Sequence, residues 1–273
     1  MAHHLESTVA KALSTINHFW YTKSFVSIIP NVLYWFVVDC KISMSEFSSK
    51  NLADQTALKL RRSILRGDVQ PGDPIKERDT AIVMGVSRTP MREAIRVLSK
   101  EGLIELRPSR SPVVAELDVT SATEQAAVLI ALENLSVELA CENATKEDLE
   151  NMQQIVEYMD ANFYDFDPLD MFEIDMSFHT AIAKASHNSA LAKTHQAFQQ
   201  RLWHARYLAA RQRRNRDRVV GQHTSILEGL KMRDKRAACS AVGVHLSQLA
   251  EDIRQQITRQ NAQKGKKKDQ SKE

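Results

Sequence analysis

Glu77-Arg78-Asp79-Thr80-Ala81-Ile82-Val83-Met84-Gly85-Val86-Ser87-Arg88-Thr89-Pro90-Met91-Arg92-Glu93-Ala94-Ile95 is the stretch on which the reading of the whole chain turns. It holds two short helical patterns that meet at a tight turn. The first is predicted over about Lys76 to Met84 and stops at Gly85, the residue type that enters the left-handed conformation at least cost. Ser87 reads as the N-cap of the second, over about Arg88 to Glu101. Pro90 falls in its first turn, where a missing N–H costs little. Met91, Ile95 and Leu98 recur at helical spacing and form a stripe to be buried. Arg88, Thr89, Arg92 and Arg96 are left on the outer face.

A helix whose first turn offers Arg, Thr and Arg, set after a turn against a preceding helix, has the layout of a helix-turn-helix DNA reader. Arg donates two hydrogen bonds to the guanine edge in the major groove. Hydroxyls, cations and the helix N-terminus hold phosphates. In such motifs the N-terminal residues of the second helix lead into the groove. An ordinary helix hairpin with a solvated basic face has the same spacing, so the flanks decide. Upstream, Leu58 to Arg66 is amphipathic and stops at Gly67, ahead of the turn Gln70-Pro71-Gly72-Asp73. Downstream, Gly102-Leu103-Ile104-Glu105-Leu106 and Val113-Val114-Ala115 flank Pro108-Ser109-Arg110-Ser111-Pro112, two apolar runs across a basic turn that predict a β-hairpin wing.

With these pieces in order, the stretch from about Leu52 to Leu117 resembles the winged helix-turn-helix domain of the GntR family of bacterial transcription regulators. The resemblance is carried by Ile64-Leu65-Arg66-Gly67, Pro71-Gly72, Gly85 to Ala94 and Glu101-Gly102-Leu103-Ile104. It implies that Arg78, Ser87, Arg88, Thr89 and Arg92 touch DNA, with Pro90 in the same turn and Arg110 reaching from the wing. Two positions depart from the pattern. Thr80 stands where the family has a buried Leu, and Ser111-Pro112 replaces the wing-tip Gly.

The 273 residues predict two domains, since one core seldom grows past about 250 residues. A chain 43% hydrophobic and 26% charged is globular, and a net charge of +3 does not by itself point to nucleic acid. Its distribution does: residues 45–115 hold 13 Lys/Arg against 9 Asp/Glu, placing positive charge where phosphate contacts supply affinity. Cys40, Cys141 and Cys239 are widely separated and make no disulfide or zinc pattern, which suits a reducing cytoplasm. Residues 1–43 do not fit the rest. Phe25 to Val38 is apolar but broken by Pro30 and Asn31, and shorter than the roughly 20 residues that span a bilayer. No small-residue cleavage site marks a signal peptide. The segment reads as an upstream extension, with Met44-Ser45-Glu46-Phe47 as the natural beginning and no membrane partner. The reader is then 44–117.

From Asp118 long amphipathic patterns follow one another, predicting helices at 120–143, 145–162, 168–186, 188–213, 216–231 and 234–259. Asp118, Thr145 and Asp167 are the expected caps. Short loops between them make an antiparallel all-α bundle over 118–259. Residues 260–273, with Lys264-Gly265-Lys266-Lys267-Lys268, read as a basic disordered tail. The expected fold is thus mainly α, a winged reader followed by a bundle.

The bundle carries a second constellation. Asp175 and His179 lie four apart and project from one helix face, while His223 and His245 each sit among apolar residues at helical spacing and can point inward. His and carboxylate ligands converging in a bundle suit zinc, and imidazole also accepts nickel or manganese. Any one of these histidines alone is an ordinary core residue, and His187, His195 and His204 look like such background. Residues 120–250, however, are similar to the FCD ligand-binding domain of FadR-type GntR regulators, through Asp175 with His179, Ala185 to Asn188, His223 with Ile226-Leu227, and His245-Leu246. The resemblance implies a divalent metal held by one Asp and three His. It also implies a homodimer, a pseudo-palindromic double-stranded DNA operator, and a small-molecule effector such as an organic or sugar acid. Bound effector would shift the population away from the DNA-binding form of a repressor, in the cytoplasm and on the nucleoid. Where the family often carries an effector-holding Arg four residues before Glu133, this chain has Leu129. The run Arg211, Arg213, Arg214, Arg216 and Arg218 is a substitute source of charge. Two rival readings are a metal-dependent hydrolase using the Asp/His site with Asp170 or Glu173 as base, and an interaction module whose reader no longer binds DNA.

Overall fold

A computed structural model describes residues 50–212 and 215–270. The extension 1–43, Arg213, Arg214 and the last residues of the tail lie outside the described residues.

The reader is built from α1 (Lys50–Arg66), α2 (Glu77–Met84), α3 (Arg88–Lys100) and the antiparallel pair β1 (Ile104–Glu105) and β2 (Val113–Val114). Gly85 takes φ 69°, and Val86 N–H then bonds back to Ala81 O at 3.0 Å, closing α2 against its own last turn. Ser87 occupies the N-cap of α3 in extended backbone, but its side chain makes no cap hydrogen bond. The hydroxyl is left for another partner. Met91, Ile95 and Leu98 are buried with Leu60, Ile64, Leu103, Ile104 and Val114 in one small core. Glu101 locks α1 to the end of α3 through a two-point pair with Arg61, Nη2 to Oε1 at 2.6 Å and Nε to Oε2 at 2.9 Å. At the wing tip Ser109 adopts φ 55° in place of a glycine, and Arg107 donates to Ser111 O to hold the turn.

The bundle comprises α4 (Val119–Asn143), α5 (Lys146–Asn162), α6 (Pro168–Ala185), α7 (Ser189–Gln212), α8 (Arg216–Lys231), α9 (Lys235–Leu246) and α10 (Leu249–Gln270). The expected caps form: Asp118 accepts from Ser121 N–H, Thr145 and Asp148 make a reciprocal box, and Asp167 accepts from Leu169 and Asp170 N–H. The helix α4 is the hub, packed against α6, α7, α8, α9 and α10. Arg233, in the α8–α9 turn, donates to Ala140 O, Cys141 O and Ala144 O and satisfies the carbonyls left open where α4 ends. Gly229 allows α8 and α9 to touch, since a Cβ there would lie 2.7 Å from Ala238 N.

Two expectations need correction. The helix predicted over 234–259 is two helices, separated at Ser247, whose N–H and hydroxyl both turn back to Val244 O. The break lets α9 present His245 while Ile253 and Ile257 of α10 pack beside Leu129, Leu202 and Ala205. One straight helix would miss one of the two surfaces. The second concerns the tail: α10 continues to Gln270 across most of the segment read as disordered. Gln, Lys and Asp there carry no helix-breaking Pro, and a single Gly costs only about 1 kcal/mol. Among the described residues no helix is long and apolar enough to cross a membrane.

Candidate functional site

The reader presents the residue types the sequence singled out. Arg78, Ser87, Arg88, Thr89 and Arg92 are exposed on α2, the turn and α3, Pro90 is half-buried, and Arg110 is exposed on the wing. Arg92 lies over Glu77, with Nη2 3.2 Å from Oε2. An exposed pair of this kind contributes little to stability and exchanges readily for another acceptor.

In the bundle, Asp175 and His179 on α6 meet His223 of α8 and His245 of α9, and one ligand atom from each lies within 4.8 Å of all the others. The histidines are fixed from behind. His223 Nδ1–H donates to Val219 O at 2.6 Å, His245 Nδ1–H to Gln222 Oε1 at 3.0 Å, and His179 Nδ1–H to Glu133 Oε2 at 3.0 Å. Each of those oxygens accepts, so in its neutral form each ring carries its proton on Nδ1 and turns an Nε2 lone pair inward. His179 Nε2 and His245 Nε2 stand 3.1 Å apart. His223 Nε2 is 2.6 Å from Asp175 Oδ1, yet neither atom has a hydrogen-bond partner of acceptable alignment. Buried lone pairs that face one another without a donor are what a cation would satisfy, and the donor set of three imidazoles and a carboxylate fits a divalent ion.

The charges answer to the same geometry. Burial drives the Asp175 carboxyl upward, but His223 and His179 outweigh it and hold the group well below the usual carboxylate range. Burial likewise opposes ionisation of Glu133, and His179 and His195 reverse it. Burial lowers His179, whereas Glu133 and Asp175 carry it up to about 9. His245 is pushed well below its ordinary value by burial and by His223 and His179.

Three features escaped the sequence reading. Glu133 is fully buried and is the shared neighbour of His179, His195 (Nε2 to Oε1 3.0 Å) and Arg206 (Nη1 to Oε1 3.5 Å). The signal was present: Glu133 is the lone acid in Val128-Leu129-Ile130-Ala131-Leu132-Glu133-Asn134-Leu135. Of the three histidines read as background, His195 joins the cluster through Glu133, while His204 is a buried residue of α7 and His187 is half-exposed and paired with Asp148. Of the described members of the arginine run, Arg216 is tied to Asp160 and Asp217 and Arg211 is exposed, and the buried arginine beside Glu133 among the described residues is Arg206. Asp170 and Glu173, the acids a hydrolase would need as base, are both engaged by Arg62 of the reader.

Fold and site together define a DNA-binding transcriptional regulator, a winged reader followed by an all-α domain. Residues 52–114 match the bacterial regulatory proteins of the gntR family, and residues 124–248 match the FCD domain. The chain belongs to the GntR family of transcriptional regulators, in its FCD-containing branch, rather than to a family of enzymes. It is 26% identical over 196 residues to the HTH-type transcriptional repressor RspR of Escherichia coli (strain K12), covering 72% of this chain and 86% of that protein. It is 28% identical over 233 residues to the Uxu operon transcriptional regulator of the same strain, covering 78% and 89%. The solved structure of E. coli McbR/YncC superposes with a TM-score of 0.63 at 23% identity, over 75% of this chain and 98% of that one, and shows the same fold.

Replacing Glu133 by Ala is expected to cost about 3–5 kcal/mol in urea unfolding at neutral pH, because buried positive groups then lack their shared acceptor. Glu133→Gln keeps an acceptor oxygen and is expected to cost less. A loss below about 1 kcal/mol for the Ala variant would show that Glu133 is not the hub of the cluster.

Proposed function

We propose that this chain is a metal-loaded, metabolite-responsive repressor that binds a pseudo-palindromic operator as a homodimer. The observation that carries the metal is the convergence of three Nε2 lone pairs on Asp175, each ring fixed through its Nδ1–H. Zinc suits this donor set best, with nickel and manganese as alternates. Asp175, His179, His223 and His245 would hold the ion, which supplies a cationic anchor for an acidic effector when bound. Arg206, buried on α7 beside Glu133, stands in for the arginine absent at Leu129 and suits a small organic or sugar acid. The repressor reading draws on the printed description of RspR. Regulation of this kind takes place in the cytoplasm, on the nucleoid.

Self-association is supported by the outer face of α4. Ala127, Val128, Ala131 and Leu135 form an exposed apolar stripe at helical spacing on the helix that otherwise fills the centre of the bundle. Two copies meeting on a twofold axis would match two readers to two half-sites. Sedimentation equilibrium is expected to show a dimer for the parent and a monomer for Val128→Glu with Leu135→Glu; an unchanged mass would remove this face from the interface.

Operator binding is to be measured by fluorescence anisotropy with duplexes from upstream of the chain's own gene. Arg92→Ala is expected to weaken it by about 1–3 kcal/mol, as for a base-contacting arginine. Unaltered affinity would take Arg92 off the reading surface. His223→Ala is expected to lose bound metal and, with it, the added thermal stability that a ligand of the native state confers. Metal content equal to the parent's would refute the site. Small organic and sugar acids are then screened for operator release, and release that survives in His223→Ala would place the effector away from the metal.

A further inference from the structure

The reading face carries acids as well as arginines, and they are distributed unequally. Arg78, Arg88 and Arg110 have no side-chain hydrogen bond or ion pair among the described residues. Arg96 is met by an acid of its own helix, its Nη1 lying 2.7 Å from Glu93 Oε1. The acid on Arg92 comes from the other helix of the motif. Glu77 opens α2, and its Oε2 accepts from Arg92 Nε at 3.3 Å and from Nη2 at 3.2 Å. A negative group on a surface that meets phosphates weakens binding to every duplex. Such a carboxylate favours the complex only where it finds a donor on the DNA.

The pair uses one edge of each partner and leaves the other open. Both N–H groups of Arg92 meet a single oxygen, so Glu77 Oε1, Arg92 Nη1 and the second N–H of Nη2 have no partner among the described residues. Both side chains remain accessible, Arg92 at 55% and Glu77 at 31% exposure. Two donors and an acceptor are thus offered side by side, in an order fixed by the contact between them. In the major groove a G·C pair shows guanine N7 and O6, both acceptors, and then the N4 amine of cytosine, a donor. That order is the complement of the pair. An A·T pair alternates acceptor, donor, acceptor, so in the same register one N–H of Arg92 faces the N6 amine and Glu77 faces thymine O4.

We propose that Glu77 and Arg92 read one G·C pair as a unit, Arg92 on the guanine and Glu77 Oε1 on the N4 amine of the cytosine. Glu77 is then a specificity-determining residue, because at every other pair its carboxylate meets an acceptor in place of a donor. This rests on the reading of Arg92 as a base-contacting residue.

The test begins with duplexes selected from a random-sequence pool by the full chain and by its Arg92→Ala and Glu77→Ala variants. Removing an acid strengthens binding to any duplex, so the comparison is of base preference at each pair and not of affinity. Arg92→Ala is expected to flatten a G·C preference at one pair by roughly 5- to 150-fold, and Glu77→Ala to flatten it at that same pair by about tenfold. The cytosine of that pair is then replaced by N4-methyldeoxycytidine, which still pairs with guanine but turns a methyl group to the groove in place of the N4–H. The parent is expected to lose about tenfold in affinity for the methylated duplex, and Glu77→Ala less than about twofold. A parent indifferent to the methyl group overturns the proposal even where Glu77→Ala flattens the preference, since Glu77 then only orients Arg92. A Glu77→Ala profile that matches the parent's overturns it as well, and leaves Arg92 standing as a base contact. An Arg92→Ala profile unchanged at every position removes Arg92 from the bases and the paired reading with it. Should Glu77→Ala not fold, the response of the parent to the methylated duplex decides.

Discussion

A carboxylate with no access to water is the constraint on which the bundle depends. Glu133 lies in the middle of α4, and removing such a group from solvent costs several kcal/mol unless hydrogen-bond donors or positive groups meet it. His179 from α6 and both His195 and Arg206 from α7 do so. That requirement fixes three helices about one point. It also decides the chemistry a layer away: because His179 spends its Nδ1–H on Glu133, its other nitrogen is directed at Asp175, His223 and His245. Glu133 and the Asp175, His179, His223 and His245 cluster are thus one arrangement, since the inward turn of His179 depends on its outer partner.

The polar contacts of the molecule divide by role. Some close a helix end, as Arg233 does for α4, and some join elements inside the reader, as Arg61 and Glu101 do. Those of Arg62 and Arg66 are different, since they cross from reader to bundle and land on the helix that carries Asp175 and His179. They are only part-buried, the Arg62 side chain being 21% exposed. Pairs in that range contribute modestly to stability. By contrast the Arg92–Glu77 pair lies on the open face of the reader, where a nucleic-acid acceptor can replace Glu77.

Much of this was legible in the order of residues. Gly85 stops α2 in the left-handed region, Asp118, Thr145 and Asp167 cap their helices, and Met91, Ile95 and Leu98 are buried as their spacing requires. Asp175, His179, His223 and His245 do converge. Ser87 misled in one respect, holding the cap position without using its side chain. The two-part end of the bundle also went unseen, because the turn at Ser247 has neither Gly nor Pro to announce it.

What the sequence determined by itself is what residues a few positions apart can settle. Caps, turns and helical stripes depend on neighbours within about four places, and their energetics are the same wherever the segment lies. The tertiary structure alone decided which buried polar groups meet. Glu133 and His179 are 46 residues apart, and Arg62 and Glu173 are 111 apart. Whether such groups pair depends on the angles and distances at which α4, α6, α7 and α1 cross, and those follow from the packing of the whole core rather than from any one segment.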